Sequence, residues 1–90
     1  MEDAETYARA GAALGRLWAG GYDLLNVDDG TTYRLEGTAA RLWEVLQAPA
    51  TAANLASVLI DGFGAPPEMA ARDVASFLSA LAAAGLVESA

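Results

Sequence analysis

Few residues in this chain of 90 could carry out chemistry, because it contains neither cysteine nor histidine. Their absence removes thiolate nucleophiles, imidazole bases, disulfides and the common zinc ligands. Metal or acid–base chemistry would depend on carboxylates alone. A close carboxylate pair, Asp28-Asp29, precedes Gly30 in a predicted turn, where both side chains would be solvated. The sequence therefore predicts a protein that is not an enzyme and that holds no metal or cofactor.

The charge of the chain argues against a nucleic-acid partner. Twelve acidic residues stand against five arginines and no lysine, which gives a formal net charge of −7. Such a chain repels phosphate backbones unless its cations are concentrated on one face. The arginines are instead dispersed along the chain, at Arg9, Arg16, Arg34, Arg41 and Arg72. Solubility accounts for the negative charge, with steering toward a basic partner as the alternative.

Length and hydropathy predict one small domain, residues 1–90. A chain of this size hides only about 60 to 65% of its unfolded surface, enough for a single core. The first residues, Met1-Glu2-Asp3, are acidic, and the long uncharged run Val74 to Val87 is too short for a bilayer core of about 30 Å. We expect a cytoplasmic protein with no membrane partner, in which residues 1–7 are loose.

The elements that must position any site begin with a predicted hairpin. Tyr22 to Val27 and Thr31 to Glu36 are rich in β-branched and aromatic residues, and Asp29-Gly30 between them tolerates positive φ. A preceding strand is predicted at Ala13 to Trp18. Apolar residues from Tyr7 to Trp18 also recur at helical spacing, so a helix over residues 8–19 remains the alternative, but glycines interrupt it.

Three helices are predicted after the hairpin. Thr38 is expected to cap the first, which ends before Pro49, and Thr51 is expected to cap the second. The apolar stripe of the second helix is Ala52, Leu55, Ala56, Leu59 and Phe63, and that helix is expected to end at Gly62-Phe63-Gly64.

The third helix is expected to begin at Pro67, whose missing N–H costs nothing in a first turn, and to end near Ala84. Its predicted core stripe is Ala70, Val74, Phe77, Leu78 and Leu81. Gly85 is placed to adopt a left-handed conformation, with Leu86 folding back onto the helix. After Asp73 the remaining faces carry small neutral residues, so either a partner lies against them or an alanine-rich surface is simply solvated.

This order of elements predicts an α+β fold: a small winged-helix-like domain with a three-stranded antiparallel sheet followed by three helices. If the strands pair in chain order, Thr31 to Glu36 is an open edge of the sheet. An open edge presents unpaired main-chain groups and attracts other strands.

Two segments of the sequence resemble one family. The run L-L-N-V-D-D-G-T-T-Y-R-L-E-G-T-A-A-R-L-W, from Leu24 to Trp43, is similar to the PqqD-type domain, also called the RiPP recognition element. The run D-V-A-S-F-L-S-A-L-A-A-A-G-L-V, from Asp73 to Val87, is similar to the end of that domain. The resemblance covers about Gly21 to Val87, and the pair of motifs at this separation is more specific than either alone.

The resemblance implies a function and a site. Proteins of this family hold the leader segment of a ribosomally made precursor peptide as an added β-strand and present it to a maturation enzyme, either a leader peptidase of lasso-peptide pathways or a radical-SAM protein. The Y-R-L and T-A-A-R-L-W patterns lean toward the lasso type. Transferred to this sequence, the peptide-binding residues would be Thr31, Thr32, Tyr33, Arg34, Leu35, Glu36, Arg72, Ala75, Ser76, Ser79 and Ala82.

Other classes fit the sequence less well. A winged-helix nucleic-acid-binding protein would need several polar or basic residues on its reading helix, and Glu68 to Ala84 offers only Arg72. An acyl-carrier protein needs an Asp-Ser attachment site, and the sequence contains no Asp-Ser pair. The nucleic-acid-binding class and a generic protein-docking domain remain as alternatives to peptide binding.

Overall fold

The computed structural model describes residues 5–90. Its strands are β1 (Thr6–Arg9), β2 (Ala13–Trp18), β3 (Gly21–Asn26), β4 (Thr32–Glu36), β5 (Ala50–Thr51) and β6 (Val87–Ser89), and its helices are α1 (Thr38–Val45), α2 (Ala52–Phe63) and α3 (Pro67–Ala83). The α+β class is confirmed. Over the described residues, no helix combines the length and the apolar character that a membrane span requires.

The main sheet has the order β2-β3-β4 and is antiparallel throughout. The predicted hairpin is confirmed to within one residue at each end, and the strand at Ala13–Trp18, rather than a helix, is confirmed. Ala19 and Gly20 reverse the chain between β2 and β3, with Gly20 at a φ of 109°. Gly21 is required for packing, because a Cβ there would overlap the Leu35 carbonyl oxygen of β4.

A second, smaller sheet was not predicted. It has the order β5-β1-β6 and joins the two ends of the domain, with Tyr7 of β1 opposite Ser89 of β6. Three strands followed by three helices is therefore an incomplete description of the chain. Thr6 and Tyr7 belong to β1, so the segment expected to be loose does not extend to them. Residues 1–4 of that segment lie outside the described residues.

The start of α1 and the burial of Phe63 depart from prediction, whereas α2 ends at Phe63 and Gly64 as predicted. Thr38 is the first residue of α1 rather than its cap; Gly37 precedes it, and no side chain caps the helix. Thr51 caps α2 as predicted, accepting a hydrogen bond from the Asn54 N–H in a capping box. Phe63, expected on the buried stripe, is 50% exposed, because it is the last residue of α2, beyond the part that packs on the core.

The end of α3 follows the predicted pattern. Gly85 has a φ of 76°, and the N–H groups of Gly85 and Leu86 donate to the carbonyls of Ala82 and Leu81. These two bonds define a Schellman motif, and Leu86 is fully buried. The five predicted core residues of α3 are all buried: Ala70, Val74, Phe77, Leu78 and Leu81.

One core joins the main sheet to the helices. Its members are buried apolar residues from β3, β4, β5, the three helices and the residues that follow α1 and α3: Leu24, Leu35, Leu42, Trp43, Leu46, Ala50, Leu55, Leu59, Ala70, Val74, Phe77, Leu78, Leu81, Leu86 and Val87. Asn26 is the buried polar residue of the described chain, at 6% exposed. Its Nδ2 donates to the Ala84 carbonyl at 3.0 Å, and its Oδ1 accepts from the Asp28 N–H at 2.9 Å. Asn26 thus links the C-terminal end of α3 to the hairpin where β3 enters the turn.

Candidate functional site

A groove of about 670 Å³ lies between β4 and α3. Its lining residues are Tyr33, Arg34, Leu35 and Glu36 from β4, Ala39 from α1, and Asp73, Ser76, Phe77, Ala80 and Leu81 from α3. Leu35, Phe77 and Leu81 belong to the core, so the floor of the groove is apolar. Charged side chains occur among its walls, at Arg34, Glu36 and Asp73. The groove, called here the β4–α3 groove, can hold an extended segment with apolar side chains beneath and polar ones at the rim.

The α3 wall follows helical geometry. Asp73, Ser76, Phe77 and Ala80 are spaced i, i+3, i+4 and i+7, so they share one face of the helix. This face borders the core stripe, with which it shares Phe77. The side chains of Ser76 and Ala80 are small, so they project little from the helix into the groove. A peptide backbone could therefore approach α3 closely.

The structure brings together only part of the site that the sequence predicts. Of the eleven residues named from the resemblance, the groove is lined by Tyr33, Arg34, Leu35, Glu36 and Ser76. Thr31 and Thr32 continue the same edge but lie outside the lining, as do Arg72, Ala75, Ser79 and Ala82, which are exposed residues of α3.

The difference on α3 has a geometric reason. Ala75, Ser79 and Ala82 are small and neutral, but at about 100° per residue they lie on a face of α3 that is turned away from the sheet, toward solvent. The groove wall must instead lie beside the core stripe, because that stripe faces the same sheet. Asp73, Phe77 and Ala80 were missed, although their spacing next to Val74 and Leu81 was visible in the sequence.

The outer edge of β4 has main-chain groups available for pairing. The Asn26 N–H of β3 donates to the Thr31 carbonyl at 2.8 Å, so the main-chain groups of Thr31 face β3. Successive residues of a strand point their N–H and C=O groups to opposite sides. Those of Thr32, Arg34 and Glu36 therefore point away from β3, and within residues 5–90 no strand pairs with them. The predicted open edge is confirmed for this part of the chain.

Arg34 is held in place on this edge. Its Nε donates to Asp23 Oδ1 at 2.7 Å, and its guanidinium lies 4.1 Å from the centre of the Trp18 ring. Arg16 also approaches Asp23, at 3.6 Å. The hydrogen bonds from Arg34 hold the pKa of the Asp23 carboxyl below its ordinary value. The Arg34 guanidinium therefore has a fixed position at the groove, and its charge is already partly neutralised by Asp23.

A second hollow, of about 530 Å³, lies on the opposite face of the main sheet. It is lined by residues of β2, β3 and β4 only, among them Leu14, Arg16, Leu25 and Thr32. No helix forms a second wall there. Tyr33 and Arg34 border both hollows, so the β4 edge separates them. Neither hollow contains a cluster of three or more metal-ligating side chains among the described residues.

The main sheet with an open β4 edge and a flanking helix defines the chain as a small winged-helix-like α+β domain. The family model of coenzyme PQQ synthesis protein D (PqqD) matches residues 22–87. The chain therefore belongs to the PqqD family, as its two motifs indicate. A comparison with curated proteins gives no match to the sequence.

Solved structures share the fold. TbiB1 in complex with the TbiA(beta) leader peptide is 22% identical with a TM-score of 0.84, over 90% of this chain and 94% of that one. A lasso peptide synthetase B1 complexed with the leader peptide is 22% identical with a TM-score of 0.80, over 91% of this chain and 96% of that one.

The third is the PqqD part of Methylobacterium extorquens PqqCD, solved in solution as a stand-alone RiPP recognition element. It is 19% identical with a TM-score of 0.73, over 92% of this chain and 88% of that one. At identities of 19 to 22%, the likeness to these three structures shows a shared fold and nothing more.

Proposed function

We propose that this protein binds the leader segment of a ribosomally synthesised precursor peptide in the β4–α3 groove and presents it to a maturation enzyme. The observation that carries the proposal is an open strand edge beside a two-walled groove with an apolar floor. Strand addition uses such an edge: main-chain hydrogen bonds supply affinity, and side-chain pockets supply specificity. Two proteins of the same fold were solved with leader peptides, which supports the proposal.

The groove fits one extended strand. Thr32, Arg34 and Glu36 offer main-chain groups on alternate residues, the pattern that an added strand pairs with. Alternate side chains of that strand would point into the groove, toward Leu35 and Phe77. The others would point to the outer face of the sheet, beside the Arg34 guanidinium, where an acidic side chain is favoured.

The chemistry belongs to the partner enzyme. Without cysteine or histidine, this chain has no nucleophile–base pair to cleave or modify a peptide. We assign it the role of a binding protein in the cytoplasm, where precursor peptides are made, acting with a leader peptidase or a radical-SAM enzyme. The purified chain alone is expected to leave the precursor intact.

Arginine substitutions on two faces of α3 test the binding site. Ser76→Arg and Ala80→Arg place a bulky cation inside the groove and should weaken binding by about 1 to 3 kcal/mol, roughly five- to a hundredfold. Calorimetric titration with a synthetic precursor leader peptide measures the effect. Thermal melting of each variant checks that the fold is kept.

The matched control is Ala75→Arg, the same substitution on an exposed residue of the same helix, outside the groove. It should bind the leader as the parent does. Parent-like binding by both groove variants would refute the β4–α3 groove as the peptide site. Equal losses in all three variants would point instead to a general effect of added charge on α3.

A further inference from the structure

The other edge of the main sheet is also open, and it is unusually apolar. β2 has the sequence A-L-G-R-L-W, and within residues 5–90 only β3 pairs with it. Leu14 is 59% exposed and Leu17 is 68% exposed, on opposite faces of the strand. Natural edge strands are usually protected by charged side chains, proline, a bulge or a covering element. Of these protections β2 has only the charged side chain of Arg16, and Arg16 is paired with Asp23 on the adjacent strand.

Hydrogen-bond alternation identifies the groups that β2 offers. The Asn26 main chain faces β4, so that of Leu25 faces β2, and Leu14 opposite it faces β3. The N–H and C=O groups of Ala13, Gly15 and Leu17 therefore point outward. They form a set centred on Gly15.

We propose that β2 pairs antiparallel with β2 of a second copy of this chain, with the twofold axis at Gly15. In this register Gly15 lies opposite Gly15 of the second copy, and Ala13 lies opposite Leu17. These residues carry the outward main-chain groups, so every available bond can form. The small side chain of Ala13 faces the large one of Leu17, which makes the edge complementary to itself.

Charge also selects this register. Arg16 lies opposite Leu14 of the second copy, so the aliphatic stem of arginine covers an exposed leucine. An axis at Arg16 would instead oppose two like charges and would bring together residues whose main-chain groups point inward. The self-complementary register thus accounts for both exposed leucines.

The paired copies would form a six-stranded sheet whose two ends are the β4 edges. Both β4–α3 grooves stay open, so dimer formation and peptide binding are independent. Six residues a side is far below the roughly 20 to 30 that stable interfaces use, so the dimer should form only at high concentration.

Single cysteines test the register directly, because the chain has no cysteine of its own. Leu14 and Arg16 of facing copies would form a pair without mutual hydrogen bonds, with Cα atoms about 4.5 Å apart, within the range of a disulfide. Two copies of Leu14 would be about 8 Å apart, which is too far. A mixture of Leu14→Cys and Arg16→Cys proteins should therefore cross-link at least about tenfold faster than either alone.

Sedimentation tests the interaction without cross-linking. The parent should show a rising mass between about 10 µM and about 1 mM, and Leu17→Lys should weaken this association at least about tenfold. Val27→Lys is the matched control, since Val27 is 56% exposed but lies in the β3–β4 loop. A parent that stays monomeric throughout, or cysteine variants that cross-link equally alone and mixed, would overturn the proposal.

Discussion

The hydrogen bonds that a peptide would make with the outer edge of β4 can be tested by substituting proline for Thr31 and for Thr32, one at a time. The Thr32 N–H points away from β3, so Thr32→Pro removes no bond of the folded protein, and proline is tolerated on strand edges. The Thr31 N–H instead donates to Asp29 Oδ1 at 2.9 Å within the turn. The same substitution at the two positions should therefore have opposite effects on binding and stability.

For Thr32→Pro we expect a stability within about 0.5 kcal/mol of the parent. Leader binding should weaken by about 1 to 3 kcal/mol, since one peptide acceptor loses its donor and meets the proline ring. This is about a five- to hundredfold higher Kd. For Thr31→Pro we expect a loss of about 1 kcal/mol in stability, or roughly 4 to 8 °C in Tm, with binding unchanged in the folded protein.

Titration calorimetry gives the Kd, and far-ultraviolet circular dichroism gives the Tm of each variant. If Thr32→Pro binds the leader as tightly as the parent, the peptide does not pair with the outer edge of β4. If Thr32→Pro unfolds, the alternation inferred from Asn26 and Thr31 is wrong.

Two further predictions concern the parts that support the groove. Trp43→Ala should lower the free energy of unfolding by about 3 to 5 kcal/mol, because Trp43 is 1% exposed and lies under the Arg9 guanidinium. Circular dichroism in urea measures this loss. The control is Trp18→Ala, at a half-buried site, which should lower the free energy of unfolding clearly less. Since Arg34 lowers the pKa of Asp23, the stability contributed by this pair is present above the ordinary carboxyl value of 3.8 and is lost as pH falls through the lowered folded-state value. The Tm of the parent should therefore fall more steeply in acid than that of Asp23→Asn, and parallel curves would contradict the role given to the pair.

The sequence was informative where local chemistry decides the structure. The Asp-Gly turn, the Thr51 cap and the Gly85 end of α3 depend on neighbouring residues, and each was predicted from them. Pairing between distant segments was not predictable in this way. β1, β5 and β6 are two to four residues long, too short for a clear pattern, and they pair across most of the chain.

In the candidate site, too, one half could be predicted from local sequence and the other half could not. The β4 half was predicted because an alternating strand shows which residues lie at an edge. The α3 half required the rotation of the helix about its axis, which packing against the sheet decides. Small side chains at Ala75 and Ser79 suggested a contact surface, but the face beside the core stripe, with Ser76 and Ala80, is the one that meets β4.

The bond from Asn26 to Ala84 has a mechanical consequence for the groove. It ties the C-terminal end of α3 to the hairpin beside Thr31, whereas the opposite end, near Glu36 and Asp73, has no such tie among the residues described. At that end the distance between the two walls is set by side-chain packing instead, with Ala70 and Val74 of α3 buried in the core. A strand added to β4 would therefore meet the hydrogen-bonded end of α3 beside Thr31 and the packed part of α3 beside Glu36.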